Sequence, residues 1–305
     1  MACKEVNIKN IHNQKQLNII HQIKNKIKKN SESPKLKIET IQYLPNITFN
    51  IVQDGYLIAG TKQRVAKLFV KKILNKNIDT LLGAGTANGF GAVAVGYVAY
   101  KLGLKSHVFI NDHELNTNTR QINTLLACES KITLCKTYRE ARDLEYKLSD
   151  DPNKKWSTLP NYYLVPMGLN DENKIMVNLL SKQIKKASKN TILENNNKQY
   201  RFWCVAGSGG IIEALTLTFP NSLFFIYLTG SGSYRKKVID WTKHNKNIHI
   251  LKENEQLKYN YENRKKYYSS VKEYDDLIWS YIKKYGKNDD IIWNVSSDDY
   301  LFCQT

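Results

Sequence analysis

At 305 residues the chain has room for two lobes, and 42% hydrophobic with 24% charged residues are globular proportions that exclude a largely disordered protein. Lys and Arg outnumber Asp and Glu by 46 to 28, a net charge of +18. The lysines, however, are scattered through an Asn- and Ile-rich background with no stripe of interleaved aromatics, so nucleic-acid contact is allowed by charge and supported by no motif. No apolar run approaches the ~20 residues of a membrane helix, and no signal-peptide core opens the chain. Five cysteines (Cys3, Cys128, Cys135, Cys204, Cys303) form no CxxC pair and no zinc spacing, so a soluble cytoplasmic protein with reduced thiols is expected.

In chain order, Ile and Leu recur at three- and four-residue intervals within residues 1–30, predicting an amphipathic helix with a basic outer face. His12 and His21 on it have no third ligand nearby and read as solvated or packing residues. Ser31 to Pro34 break that helix; Lys37 to Val52 alternate as strands ending at Asp54-Gly55. Tyr56 to Gly60 (YLIAG) reads as an apolar strand end, and a helix starts just after Lys62 with Val65, Leu68, Phe69 and Ile73 on one face. Asp79 to Leu82 form a strand, a glycine-rich turn covers Gly83 to Gly91, Ala92 to Leu102 a helix and Ser106 to Ile110 a strand. Connections of this length require parallel pairing.

The same rhythm continues with helices at 116–127, 139–148 and 174–186 and strands at 132–134 and 162–165. Residues 188–199 read as a surface connector. A sharper unit follows: the strand RFWCVA at 201–206, the turn Gly207-Ser208-Gly209-Gly210, a helix at 211–219 and a strand at 223–229. The pattern is weak from Ser233 to Tyr261; a Tyr-rich segment and a last strand at 290–296 close the chain.

Three features carry chemistry. Strand, GSGG, helix aims backbone N–H groups at the positive end of a helix, where glycines let an anion approach; this is a phosphate cup, unless Ser208 merely caps the helix. The GAGTANG segment at 83–89 invites comparison with a dinucleotide fingerprint, but its third glycine is misplaced and its acidic residue, Asp112, comes late. Lys62 is one lysine among many and so could be solvated surface; at a strand end beside Arg64 and Lys67, however, desolvation and neighbouring cations would lower its pKa and make the amine nucleophilic.

Together these segments resemble the fold type II (β-family, tryptophan-synthase-β-like) pyridoxal-phosphate-dependent enzymes, most closely the aminocyclopropane-carboxylate deaminase and D-cysteine desulfhydrase group. The similar stretches are AGTKQR at 59–64, IDTLLGAGTANGFGAVAVGYVAYKLGL at 78–104, YLVPMGLNDENKIMV at 163–177, VAGSGG at 205–210 and, more faintly, KEYDDLIW at 272–279. They follow the family's order. The resemblance implies a pyridoxal-phosphate-dependent lyase or deaminase in which Lys62 forms the internal aldimine, Asn88 bonds the ring hydroxyl, and Gly207, Ser208, Gly209 and Gly210 hold the phosphate. It further implies Tyr274 as a catalytic tyrosine and Asp275 as the partner of the pyridine nitrogen, with Ser296 or Ser297 as the substitute partner if the alignment slips. From the residues alone, Tyr274 could equally pack with Trp279 and Tyr281. By the same resemblance, Thr86, Ala87 and Gly89 fall in the turn that would meet the substrate. Ala87 stands where the deaminases usually carry a serine, so a carboxylate contact or a nucleophile is missing or replaced by Thr86.

The implied architecture is α/β, two lobes with open, mostly parallel twisted sheets and the cofactor in the interlobe cleft. A small lobe at 75–165 would be inserted into a large one made of 1–74 and 166–305, with residues 1–45 a basic N-terminal extension. The substrate would be an amino acid or aminoacyl-type amine and the protein a homodimer. Alternatives are a catalytically silent ligand-binding protein of the same fold, modification of an amine on a nucleic acid, and a nucleotide-binding enzyme using 83–89.

Overall fold

The computed structural model describes residues 3–29, 33–74, 77–86, 89–112, 116–137, 139–141, 143, 161–166, 169, 174–229, 232–251, 275–295 and 297. Two units emerge, one built from Met1–Glu32 and Lys62–Met176, the other from Ser33–Thr61 and Val177–Gln304. Each centres on a sheet whose strands are parallel except for one antiparallel edge strand.

In the first unit the strands are β1 (Lys4–Val6), β4 (Thr80–Thr86), β5 (Lys105–Asn111), β6 (Lys131–Cys135) and β7 (Tyr162–Leu164), in the order β1-β6-β5-β4-β7. β4, β5, β6 and β7 run parallel, and β1 lies antiparallel on β6 with Lys4 opposite Leu134. Around this sheet are α1 (Gln14–Lys29), α2 (Gln63–Ile73), α3 (Gly91–Leu102) and α4 (Arg120–Ala127). α3 is apolar all round, and every residue from Ala92 to Ala99 is buried, as expected of a helix enclosed on all sides.

The expected N-terminal extension is part of this unit. Ile20, Ile23 and Ile27 recur at three- and four-residue spacing along α1 and are buried, with α1 packed on α4. Gln16, buried on the same face, donates from Nε2 to the Thr117 carbonyl at 2.6 Å and to Asn123 Oδ1 at 2.8 Å. Asn13 caps the helix by accepting from the Gln16 amide at 3.1 Å, and Lys24 pairs with Glu129. With β1 on the sheet edge, residues 3–29 supply both a strand and a covering helix. The observed division therefore sets these residues, and 62–74, with the inserted region rather than with the C-terminal half.

In the second unit β2 (Ile38–Leu44), β3 (Ile47–Val52), β8 (Arg201–Ala206), β9 (Leu223–Leu228), β10 (Ile248–Ile250) and β11 (Asp290–Trp293) take the order β10-β9-β8-β11-β3-β2. All pairings are parallel except β2 on β3. The helices are α5 (Ile175–Ala187), α6 (Gly210–Thr218), α7 (Gly232–Thr242) and α8 (Trp279–Tyr285). Successive β8 residues serve opposite faces, as the strand period requires. Phe202 stacks on Phe224 with ring centres 5.2 Å apart and meets Phe219, whereas Trp203 joins Phe49, Ile51, Ile292, Trp279 and Ile282 in a second cluster. Burying Trp203 is compatible with its polar edge because Nε1 donates to Asp290 Oδ2 at 2.6 Å. Asp290, 1% exposed, is balanced by Arg201 Nε at 2.8 Å and the Lys287 amide at 2.9 Å.

The periodic elements lie close to where their patterns predict. β1, α7 and β10 are additions that the periodicity did not mark. The helix expected at 139–148 falls mostly outside the described residues.

Candidate active site

Strand order singles out one strand in each sheet. From β4 the chain moves to β5 and then β6 on one side, and β7 returns on the other; from β8 it moves to β9 and β10, and β11 returns on the other. At such a reversal, consecutive connections leave a crevice at the strands' carboxyl ends, where αβ sheets bind ligands. Of the two glycine-rich segments of the sequence, that at 83–91 spans the end of β4 and that at 207–210 follows β8, the reversal strand of each unit.

The second unit gathers three candidate features on adjacent parallel strands β8, β11 and β3. The GSGG turn leaves β8; Asn294 and Ser297, 1% and 0% exposed, follow β11; and the run Gln53 to Thr61 follows β3. This end of the sheet is rich in buried polar side chains, including Gln53, Asp54, Thr61 and Asn294. Asn294 Nδ2 donates to Gln53 Oε1 at 3.2 Å, Gln53 Nε2 donates to Glu39 Oε2 at 2.6 Å, and the Asn294 amide donates to the Val52 carbonyl at 3.0 Å. Polar side chains are kept inside a sheet end only when partnered.

Lys62 follows Thr61, the last residue of the run that leaves β3. YLIAG is not a strand end: β3 stops at Val52, and two 3₁₀ turns, Asp54–Tyr56 and Gly60–Lys62, carry the chain to α2. Ile58 and Ala59 are buried because these turns fold the apolar run inward, which is why it resembles a strand in sequence. The Thr61 hydroxyl accepts from Trp293 Nε1 at 3.0 Å, both residues being buried, which ties the residue before Lys62 to the end of β11. Lys62 itself is half-buried, and burial lowers its ammonium to about 8. The cause is desolvation; the neighbouring cations invoked from the sequence are not needed.

The GSGG turn discriminates between its two readings. α6 starts at Gly210, and its N-cap is Gly209, in the left-handed region at φ +84° with no side-chain capping bond. Ser208 is therefore not the helix cap. The first amides of a helix have no intrahelical acceptor, and the first ladder bond here is Glu213 N–H to the Gly209 carbonyl at 3.0 Å. The turn thus leaves the Gly210, Ile211 and Ile212 amides at the positive helix end, with Gly207 and Ser208 half-buried. A Cβ on Gly209 would lie 2.6 Å from Val238 Cγ2, so space as well as backbone angle demands glycine.

The 83–89 segment is different. β4 extends through Thr86, so Gly83 and Gly85 lie within a strand rather than in a turn. A Cβ on Gly83 would meet Val95 Cγ2 at 2.9 Å, and one on Gly85 would meet Ala92 Cβ at 2.8 Å. These glycines let α3 lie close on the sheet, which removes the basis for a dinucleotide fingerprint. Thr86 is exposed at the end of β4, and its carbonyl accepts from the Gly89 amide at 3.0 Å. Ala87 and Asn88 lie outside the described residues, as do Tyr274 and Ser296. Asp275 opens the 3₁₀ turn Asp275–Ile278 before α8. Among the described residues no cluster of His, Cys, Asp and Glu could hold a metal, and no helix is long and apolar enough to cross a membrane. Buried Asn294 and its partner Gln53 were not singled out in the sequence; an Asn inside the strand expected at 290–296 is the signal that could have drawn attention to them.

The fold, two αβ units each with a mostly parallel sheet, matches that of the fold type II pyridoxal-phosphate enzymes, as the sequence segments implied. Among solved structures, a fungal L-serine ammonia-lyase from Rhizomucor miehei superimposes with TM-score 0.62 at 13% identity, covering 88% of this chain and 95% of that one. An aminocyclopropane-carboxylate (ACC) deaminase homologue matches with TM-score 0.61 at 15% identity over 90% and 94% of the two chains. Diaminopropionate ammonia lyase from Escherichia coli matches with TM-score 0.56 at 11% identity over 99% and 96%. At these identities the likeness is one of fold. No protein-family model and no curated protein sequence matches the chain.

Proposed function

We propose that this protein is a pyridoxal-phosphate-dependent lyase or deaminase acting on an amino acid or aminoacyl-type amine, with Lys62 as the residue that carries the cofactor. One observation supports it most: an amine lowered to about 8 by burial directly follows Thr61, which is bonded to the end of β11, and β8, the strand beside β11, ends in a glycine turn with no side-chain cap. The residues fit the group. A lysine with a sizeable neutral fraction near pH 8 can condense with an aldehyde, and free amides at a helix N-terminus suit a phosphate dianion.

When bound, the cofactor supplies an electron sink for a carbanion at the amino acid's α carbon. The chain's residues have separate tasks in this reading. Gly207 to Gly210 hold the phosphate through backbone N–H groups, with the α6 dipole favouring its charge. Lys62 Nζ would hold the cofactor and would take and return a proton at the amino acid's α carbon; its lowered pKa keeps a neutral base available near pH 8. Asn88 would orient the ring, Thr86 and Gly89 with Ala87 would meet the substrate, and Tyr274 and Asp275 would complete the set, with Ser296 or Ser297 the substitute for Asp275 at the ring nitrogen. The buried position of Ser297, four residues beyond the end of β11, is compatible with that substitution.

The test is direct. Purified protein mixed with pyridoxal phosphate should develop an absorption band at the edge of the visible, and borohydride should then leave the cofactor on the Lys62 peptide. Turnover of an amino-acid panel, followed by ammonia or oxo-acid release, should disappear in Lys62→Ala. A colourless protein that takes up no cofactor would sink the proposal. Labelled Lys62 with no turnover on any amino acid would instead favour the silent binding protein.

A further inference from the structure

We propose that Cys3 and Cys135 form an oxidisable dithiol that closes to a disulfide and fastens the N-terminal strand to the sheet of the first unit. β1 pairs antiparallel with β6 in the register Lys4 to Leu134, Glu5 to Thr133 and Val6 to Ile132. One step further along that register sets Cys3 opposite Cys135. The side chains meet there: Cys3 Sγ donates to Cys135 Sγ at 3.3 Å. Directly opposed residues of an antiparallel pair have Cα atoms about 4.5–5.5 Å apart, inside the range that a disulfide spans. A bonded sulfur pair is about 2.05 Å apart, so closure needs an approach of little more than about 1 Å, which side-chain rotation can supply. Neither thiol has a role in the proposed chemistry, and the inference does not depend on it.

The two sulfurs differ in access. Cys135 is fully buried beside Ala84, Phe109 and Ala141, and burial pushes its thiol up to about 12. Cys3 packs on the edge of that cluster and is half-exposed. Cys3 is therefore the entry point for a hydroperoxide. Its sulfur is oxidised to the sulfenic acid while hydrogen peroxide is reduced to water. The Cys135 sulfur then attacks Cys3 Sγ, forming the S–S bond and breaking the S–OH bond; the hydroxide leaves with the Cys135 proton as a second water. The ladder that β1 contributes is only three residues long, its Glu5–Lys131 ion pair at 2.8 Å is exposed, and it lies at a sheet edge. Such a strand frays easily. The disulfide would convert that pairing into a covalent one.

The experiment uses the full chain, reduced, desalted and exposed to stoichiometric hydrogen peroxide. Non-reducing peptide mapping should recover a Cys3–Cys135 linked peptide, free thiols should fall by two from the five in the sequence, and dithiothreitol should restore them. Hydrogen exchange at residues 4–6 should slow by an order of magnitude or more in the oxidised protein. Cys135→Ser should leave Cys3 as a sulfenic acid that dimedone traps, and Cys3→Ser, at a half-exposed position, should abolish the linkage with Cys135 unmodified. Mapping on the unaltered chain keeps the test valid should either variant fold poorly. Recovery of Cys3 as a sulfinic acid with Cys135 free, linkage of either to another cysteine, or no thiol loss would overturn the proposal.

Discussion

Lys62 and Gly209 are positions where one residue type answers two demands at once. Burial lowers the Lys62 ammonium to about 8, so between about 8 and its ordinary value of 10.5 the unfolded chain binds more protons than the folded one. Stability must therefore rise with pH through that window, and the cost of the buried ammonium is fully present below it. Lys62→Met removes the cost: denaturant unfolding at pH 7 should show a gain of roughly 1–3 kcal/mol, the lower part of the range allowing for the partly open side chain. At pH 10.5 the gain over the wild type should nearly vanish. Gly209→Ala acts oppositely. With φ at +84° and Val238 Cγ2 only 2.6 Å from the added methyl, it should cost about 1–3 kcal/mol and weaken phosphate binding through the displaced α6 amides. Inorganic phosphate protection against unfolding measures the second effect separately from the first. Both residues were recognisable from sequence because glycine flanks them; the direction of the lysine's shift and desolvation as a cause were inferable too, and the packing shows that the neighbouring cations are not needed.

For whole elements, legibility followed periodicity. α2, α3, β8 and α6 carry strong apolar patterns, and the structure keeps them near the expected bounds. β1 and β10 are three residues each, too short for any alternation to register, and they exist because a neighbouring strand offers an unpaired edge. The run YLIAG misled in the other direction: apolar content signalled burial correctly, but two short turns bury it as well as a strand would. Gly83 and Gly85 misled because glycine inside a strand looks like a turn until the approaching helix is seen. α1 tests the claim that the N-terminal segment is structural. Ile23, with no exposed surface, should cost about 2–4 kcal/mol on replacement by alanine, as a core position does. An appendage would lose nothing measurable by chemical denaturation.

At the scale of the molecule, two sheets of like design each end their reversal strand in a segment that the sequence marks with glycines. If Lys62 and the GSGG turn serve one ligand, pyridoxal phosphate at a hundredfold excess over its dissociation constant should stabilise the wild type by about 2.7 kcal/mol. Thermal melts should show that shift reduced in Gly209→Ala and lost in Lys62→Ala. A shift that survives in both variants would place the cofactor elsewhere.

Local chemistry in the chain was enough to determine the αβ alternation, the positions of most helices, the helix-opening glycine turn and the lysine worth watching. These depend on side-chain periodicity and backbone freedom within a few residues. Folding decided the rest. It set β11 between β8 and β3, although β8 and β3 are far from it in the chain, and so brought Trp293 to Thr61, the residue before Lys62. It also turned residues 3–29 into a working strand and helix of the first unit. Strand order and edge pairing arise from long-range burial of whole faces, and no local pattern carries that information.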